Sequence, residues 1–552
     1  MNTWTKKIGI WTLSLSMLLL LGACTKKSSS GDSTKANSKT KMKTLRLHIP
    51  ADVQGFNWYT ENSLYQTYVL ADVYESLMVR NRDTFKFEPL IAKSFSISED
   101  GLKYTFIIDE LAKWHDGTPI TSRDVQFTLD LIFDPKVNSG PNKTLWGATF
   151  EKKLIIKSDK EFTVVCKKKH FKNMDRVAGI SPMPKHLLEG KDPNNGPVVT
   201  KTFGSGPYKL AKWENGQRII LEKVPNYWGK HLAYRKGWMN FDKIIYRIIR
   251  EDKVAVETLK GGYFSQYSFN AENWHKERKN PKIQEKYRTY SYTNKLPSGY
   301  SYIGWNNKIA PFNDRNVRVA LSHLINKKMI NEKFFYGLQV EAFSPINRHT
   351  IAAPQDLKGY EFSPSKALEL LKTSGWSDTN NDGVLDKNGK KFSFTLMNSN
   401  PMAEKYLTVY QEDLKKVGIE MKLKLVEWTS FIKLLDERKF EAVRLGWSAS
   451  VDPDMQQIWH SESFKGNGSN YIGYSNPKVD DLIMKSHVEL DMTKRLEIIK
   501  DIARTIAYDS PYTFLFERPV SFNAAKKDFT LPKDFYNYTS SITAPKSWTL
   551  TK

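Results

Sequence analysis

Pro311-Phe312-Asn313-Asp314-Arg315-Asn316-Val317-Arg318-Val319-Ala320-Leu321 is a turn that feeds a helix. Asn313 or Asp314 can cap it, because a short side-chain oxygen accepts an otherwise unpaired N–H of the first turn. Val317, Ala320, Leu321 and Leu324 then fall on one inward face at helical spacing. Working outward, the same spacing predicts amphipathic helices over 122–132, 316–336, 363–374 and 403–417. Strand-like runs are Ile219-Ile220-Leu221-Glu222, Ile244-Ile245-Tyr246-Arg247-Ile248 and Met421-Lys422-Leu423-Lys424-Leu425. Short turn clusters separate these segments and no internal repeat is visible. Interleaving of the two periods makes the chain mixed α/β.

Other stretches stand in a definite order around this one. Val73-Tyr74-Glu75-Ser76-Leu77 precedes Pro89-Leu90-Ile91-Ala92-Lys93-Ser94-Phe95 and Asp100-Gly101-Leu102-Lys103-Tyr104-Thr105-Phe106. Trp114-His115-Asp116-Gly117-Thr118-Pro119-Ile120-Thr121 comes next, with Asp124-Val125 behind it. Gly204-Ser205-Gly206-Pro207-Tyr208 and Pro225-Asn226-Tyr227-Trp228 follow. In this order and spacing, from about residue 45 to 550, the chain resembles the family 5 extracellular solute-binding proteins of bacterial ABC importers. That family includes oligopeptide, dipeptide and nickel binders. The resemblance implies a two-lobed, periplasmic-binding-protein-like fold (type II, cluster C) with an extra domain in the first lobe. By the same resemblance, lobe one comprises 44–73, 200–300 and 515–552, the extra domain 74–199, and lobe two 301–514. A small solute, with peptides the leading cargo, would bind between the lobes and stabilise their closure. The partners implied are an ABC permease and its ATPase subunits.

The segment Arg444-Leu445-Gly446-Trp447-Ser448-Ala449-Ser450-Val451-Asp452-Pro453-Asp454 is similar to the family's Gly-Trp strand and turn ahead of an Asp-Pro. In the peptide binders the backbone beside that tryptophan pairs with an extended ligand, as an added strand does. Carried across, Gly446 and Ser448 offer backbone bonds and Trp447 a flat apolar wall. Arg444 either holds a carboxylate or pairs within the protein. The family's dipeptide and oligopeptide binders place an aspartate three residues after the tryptophan, against the ligand's ammonium. Here that position is Ser450, and Asp452 belongs to the Asp-Pro turn. An unpaired buried charge is costly, so a peptide amine must reach another carboxylate, or the cargo is something else. Tyr65 and Gln66, and Trp305 and Asn306, are carried to the cleft by the same resemblance. For Trp305, core packing stands as an equal alternative.

Lys6 and Lys7 lead an apolar run from Ile8 to Leu21, closed by Gly22-Ala23-Cys24. About fourteen apolar residues suit a signal-peptide core and fall short of the ~20 a spanning helix needs. A cysteine directly after small residues resembles the bacterial lipobox, which implies a signal peptide over 1–23 and lipid on Cys24. Residues 24–43, rich in Lys, Ser and Thr, are expected to be a flexible tether. The protein would then hang from the membrane on its periplasmic or extracellular face. Acylation of Cys24 leaves Cys166 as the other cysteine, so no intramolecular disulfide can form.

The net charge of +24 raises nucleic acid as a partner. Eight lysines against one aspartate before residue 44 supply part of it, and the rest is spread along the chain. That pattern is surface solvation, and no nucleic-acid partner is expected. The histidines are scattered without metal-ligand spacing, and no Gly-x-Ser-x-Gly elbow occurs. Asp378-Thr379-Asn380-Asn381-Asp382-Gly383 begins like a calcium loop, but Gly389 stands where the bidentate glutamate would be, which favours an Asx-rich turn. No catalytic residue, resident metal or cofactor is expected, and the chain is expected to be monomeric. The alternatives are an envelope sensor or adhesin without a transport role, and an envelope enzyme acting on polymers. Cargo identity stays open among peptides, murein fragments, nickel chelates and other solutes.

Overall fold

The structure, a computed structural model, describes residues 42–551 apart from 60–63, 82–83, 85, 138, 197–199, 294–296, 466–467, 519 and 532–543, and without the side chains of 140–142, 144–145 and 429. The expected signal peptide, Cys24 and the tether as far as residue 41 lie outside the described residues. No helix among the described residues is long and apolar enough to cross a membrane.

The first lobe is built on alternation. Leu45, Leu47 and Ile49 point inward from Thr44–Ile49, which pairs in parallel with Lys243–Ile248. Arg218–Lys223 and Tyr208–Glu214 complete a four-stranded sheet. Lys43, the last residue of the expected tether, is bound to this sheet. Its N–H donates to Asp242 at 2.8 Å and its carbonyl accepts from Asp242 and Lys243. A three-stranded sheet joins Gln266–Phe269 and Tyr287–Thr293 on either side of Val520–Lys526.

The extra domain has its own sheet, in the order Ala92–Ile97, Lys103–Ile108, Glu161–Val165, Ile155–Ser158. The Ser122–Phe133 helix starts where the Asp124 carboxylate accepts the Thr121 N–H at 2.8 Å. Its apolar residues and those of the first lobe form one continuous core, from Leu45 through Phe106, Leu129 and Val164 to Tyr246. Cys166 is a buried free thiol in that core, and burial raises its pKa to about 12.

Gly204-Ser205-Gly206 lies against Val73, whose carbonyl accepts the N–H of Ser205 at 3.0 Å and of Gly206 at 2.8 Å. A Cβ on Gly204 would sit 1.9 Å from that carbonyl oxygen, so only glycine allows the approach. His115 braces the same spot, its Nε2 lying 2.8 Å from the Gly206 carbonyl.

The second lobe carries a six-stranded sheet, ordered Val340–Glu341, Tyr512–Glu517, Tyr300–Trp305, Ala442–Trp447, Ser393–Asn398, Glu420–Leu425. Apolar clusters cover both faces, with Trp305, Leu396 and Tyr410 on one and Tyr302, Trp459 and Ile502 on the other. Residues 515–517, expected in the first lobe, belong to this sheet, because the strand stays paired with Tyr300 and Val340 as far as Glu517. The helix expected over 316–336 is two helices, Arg315–His323 and Lys327–Phe334. Asn326 restarts the helix by accepting the Met329 N–H at 3.0 Å, a capping signal inside an unbroken apolar period. Arg318 in the opening motif is buried and donates to the carbonyls of Phe312, Asp509 and Ser510, tying the turn to the end of the Met492–Asp509 helix. Asp378 accepts the N–H groups of Asp382 and Gly383, so the calcium-like stretch closes on itself as a turn.

Candidate ligand-binding site

The Ala442–Trp447 strand carries the expected Gly-Trp pair, and its pairing is uneven. On one flank it runs antiparallel to Tyr300–Trp305 along its whole length, with Tyr300 opposite Trp447 and Ser301 opposite Gly446. On the other flank it pairs with Ser393–Asn398, and the register stops at Asn398 opposite Arg444. Residues 445–447 therefore have a described strand on one side only, and Gly446, Ser448 and Ser450 are exposed. An unpaired edge of this kind is a template for an added strand.

Its side chains are held firmly. Trp447 lies parallel to Tyr471, with ring centroids 5.9 Å apart, and to Tyr302 at 6.3 Å. Its indole N–H donates to the Tyr512 hydroxyl at 3.2 Å. Gly299 passes directly beneath, at φ +84, where a Cβ would meet the Trp447 carbonyl oxygen at 2.0 Å. Asn347 clamps Gly299 by accepting its N–H at 3.0 Å and donating to its carbonyl at 2.8 Å.

Arg444 donates from Nε to the Tyr406 hydroxyl at 2.9 Å. Arg518 stands beside it, where desolvation by surrounding protein and the Arg444 charge hold its guanidinium below the usual range. Among the described residues neither guanidinium pairs with a carboxylate, so the pair presents uncompensated positive charge. Beyond Trp447, a cavity of about 190 Å³ is lined by Tyr300, Asn347, Ser448, Ser450, Asp454 and Trp459. Asp452 is taken by Arg495 through two bonds of 3.1 and 2.6 Å, which pins the Asp-Pro turn to its own lobe.

Glu517 lies across the sheet from Tyr300 and accepts the Arg348 N–H at 3.0 Å. Burial raises its carboxyl to about 7, against the lowering effect of that bond. The folded state thus holds this proton more tightly than the unfolded chain, and stability is lost as pH rises from about 4.5 through 7. Glu517→Gln, which keeps an acceptor without the charge, should gain up to about 3 kcal/mol at pH ~8 relative to pH ~4.5. Urea melts at both values measure it, and equal effects at the two pH values would refute it.

Arg444, Gly446, Trp447, Ser448 and Ser450 are brought together. The other four expected contacts are placed apart from this segment, as follows. Gln66 is buried and spends its amide on the Asn57 carbonyl at 2.9 Å. Tyr65 is half-buried against the first-lobe core, its ring 6.5 Å from Tyr68. Trp305 is fully buried, stacked on Phe312 and donating to Thr513 at 3.1 Å, so of its two readings core packing holds. Asn306 is buried and donates to the Phe440 carbonyl at 2.9 Å. Tyr406, Tyr471, Asn347 and Arg518 were not foreseen. Arg518 had one signal, a Glu517-Arg518 charged pair closing the apolar run Tyr512-Thr513-Phe514-Leu515-Phe516.

Known proteins resemble the chain over most of its length. Residues 86–469 match the family described as bacterial extracellular solute-binding proteins, family 5 Middle. The oligopeptide-binding protein AppA of Bacillus subtilis is 30% identical over 536 residues, covering 93% of each chain. The solved structure of AppA from that organism in complex with a nonapeptide superposes with a TM-score of 0.71 at 28% identity, over 92% of this chain and 99% of that one. A peptidoglycan-binding protein, YepA of Agrobacterium fabrum, is 26% identical over 460 residues, 74% of each chain. The substrate-binding protein CtaP of Listeria monocytogenes shares the fold, with a TM-score of 0.76 at 23% identity over 92% of this chain and 99% of that one. With most of its length matched by the family and an unpaired strand edge at its Gly-Trp motif, the chain belongs to the family 5 bacterial extracellular solute-binding proteins.

Proposed function

We propose that this protein captures an extended peptide between its lobes and delivers it to an ABC permease and ATPase. The observation that carries the reading is the half-paired strand edge at 445–447, with two uncompensated arginines at one end and a polar cavity at the other. A peptide laid along this edge would exchange backbone hydrogen bonds with Gly446 and Ser448 and rest on Trp447. A carboxylate on the peptide would settle against Arg444 and Arg518, where charge-assisted bonds are strong. The two named relatives that bind oligopeptides or peptidoglycan support cargo of this class.

In this reading lobe one comprises 44–73, 200–300 and 518–552, the extra domain 74–199, and lobe two 301–517. Cargo touching both lobes must favour the closed form by about 5.5 kcal/mol to take the open:closed ratio from ~99:1 to ~1:99. Cys24 carries the lipid that tethers a monomeric receptor outside the cytoplasmic membrane.

Native mass spectrometry of the protein extracted from cells without refolding tests this. The expected spectrum shows a monomer with an acyl mass on Cys24 and a retained cargo of peptide mass. Trp447→Ala should weaken binding of that cargo by ~30-fold or more, the range for losing a packed aromatic anchor. A wild-type chain that retains no peptide, and binds none from a random nonapeptide pool, would overturn the reading.

A further inference from the structure

The Asp452-Pro453-Asp454 turn, directly after the binding segment, is gripped from two directions. From its own lobe, Arg495 clasps Asp452 and His487 Nε2 lies 3.1 Å from Asp454 Oδ1. From the extra domain comes His170, whose Nε2 lies 3.6 Å from Asp454 Oδ2. The two imidazole centroids are 4.3 Å apart. Beside them the Phe171 N–H donates to the His487 carbonyl at 2.8 Å, and the Arg495 guanidinium lies 4.3 Å over the Phe171 ring. Residues 170–171 are thus docked on the second lobe, at the turn that carries Ser448 and Ser450 to the cavity. Asp454 itself lines that cavity.

The donor atoms of His170, Asp454 and His487 lie within 4.8 Å of one another, a spacing that could suit a metal ion. The hydrogen bonding argues otherwise. Nδ1 of His170 accepts the Lys172 N–H at 3.0 Å, so a neutral ring carries its proton on Nε2. That is the atom that would have to ligate, whereas a ligating histidine normally donates from its other nitrogen. The Nε2–H faces the Asp454 carboxylate instead.

We propose that His170 is a cross-domain positioning residue: it docks the extra domain onto Asp454, steadies the 448–454 turn, and releases it when the imidazole takes up a proton. The groups around His170 fit release. Lys168, Lys172 and Arg176 face it from the extra domain, and His487, Asp454, Asp452 and Arg495 from the second lobe. Burial, then the neighbouring His487, hold the docked imidazole at about 3, against the pull of Asp454. Once undocked, the ring regains a value near 6.5. The docked state binds fewer protons, so docking is fully supported above about 6.5 and weakens as pH falls toward 3. Each pH unit below about 6.5 shifts the docked:undocked ratio roughly tenfold. The effect on cargo rests on the peptide-site reading; the docking does not.

Spin labels on Glu151→Cys and Lys494→Cys, both exposed positions on the two bodies, report the distance in the full chain without cargo. Between pH ~7.5 and ~5 the docked:undocked ratio should fall about 30-fold, a shift of one proton over 1.5 units. His170→Gln, which keeps an N–H facing Asp454 and cannot titrate, should make the ratio the same at both pH values. Should that variant misfold, His170→Phe keeps ring packing without a titrating proton and gives the same readout. Wild-type distances that do not respond to pH would overturn the proposal and leave the peptide reading standing. Stoichiometric Zn²⁺ binding at pH ~7.5, lost in His170→Gln, would also overturn it by making the cluster a metal centre. Failure to find a peptide cargo changes none of these distances.

Discussion

Glu75→Ala should destabilise the first lobe by about 3–5 kcal/mol, the range for leaving one partner of a buried ion pair uncompensated. Glu75 is 1% exposed and Arg235 5%. The carboxylate accepts from Arg235 Nε at 3.0 Å and Nη2 at 2.6 Å, and also from the Tyr227 hydroxyl. Burial works against the Arg235 charge, but Glu75 and Tyr227 outweigh it and raise the guanidinium's pKa well above its usual range. Without Glu75 the guanidinium keeps only Asp72 at 3.9 Å, which Lys546 already claims, so two cations share one carboxylate in a dry site. Replacing both partners, as Glu75→Leu with Arg235→Met, should recover most of the loss, since an apolar pair of similar volume is often no worse than the ion pair. Chemical denaturation followed by tryptophan fluorescence measures both, and a loss below ~1 kcal/mol for Glu75→Ala would refute the assignment.

Gly299→Ala should lower cargo affinity by at least ~30-fold and cost about 2–4 kcal/mol in stability. Two penalties combine at this residue. A φ of +84 disfavours any side chain, and the new methyl would stand 2.0 Å from the Trp447 carbonyl oxygen. Either Gly299 leaves the clamp of Asn347, or the strand end carrying Gly446 and Trp447 moves away. Both outcomes spoil the edge on which an extended ligand is proposed to lie. Titration calorimetry with the retained cargo, beside a thermal melt, separates the two costs. Unchanged affinity together with unchanged stability would show that the crowding is not real.

Much of the architecture could be read from the residues because it rests on local periods. The Arg218–Lys223, Lys243–Ile248 and Glu420–Leu425 strands lie where the strand-like runs put them, and Pro364–Thr373 and Pro401–Lys415 begin after the Ser363 and Asn400 caps. The single helix expected over 316–336 misled because apolar spacing continues across Leu324 and Ile325, and only Asn326 betrays the restart. The Gly-Trp strand was legible as a motif, but its open flank was not. That depends on where Ser393–Asn398 stops, a long-range register with no local trace. Trp305 and Asn306 stayed open for a related reason: they end a strand that enters a core, and which face of a sheet is covered has no local trace. The Tyr74-Glu75 and Asn226-Tyr227 motifs looked separate, yet their carboxylate and phenol meet around one arginine.

The placement of Val520–Lys526 at the middle of the three-stranded sheet has a consequence for biogenesis. Its neighbours, Gln266–Phe269 and Tyr287–Thr293, are synthesised long before it, and Gln266 waits for Asn523 to accept its amide at 2.8 Å. Lys546, later still, ion-pairs with Asp72 near the start. Synthesis from the N-terminus therefore leaves this earlier sheet without its central strand until after the six-stranded sheet has all its strands. A premature stop between residues 517 and 520 would leave two naked edges, on 266–269 and 287–293, inviting aggregation there. Damage written at the tail is felt at the head.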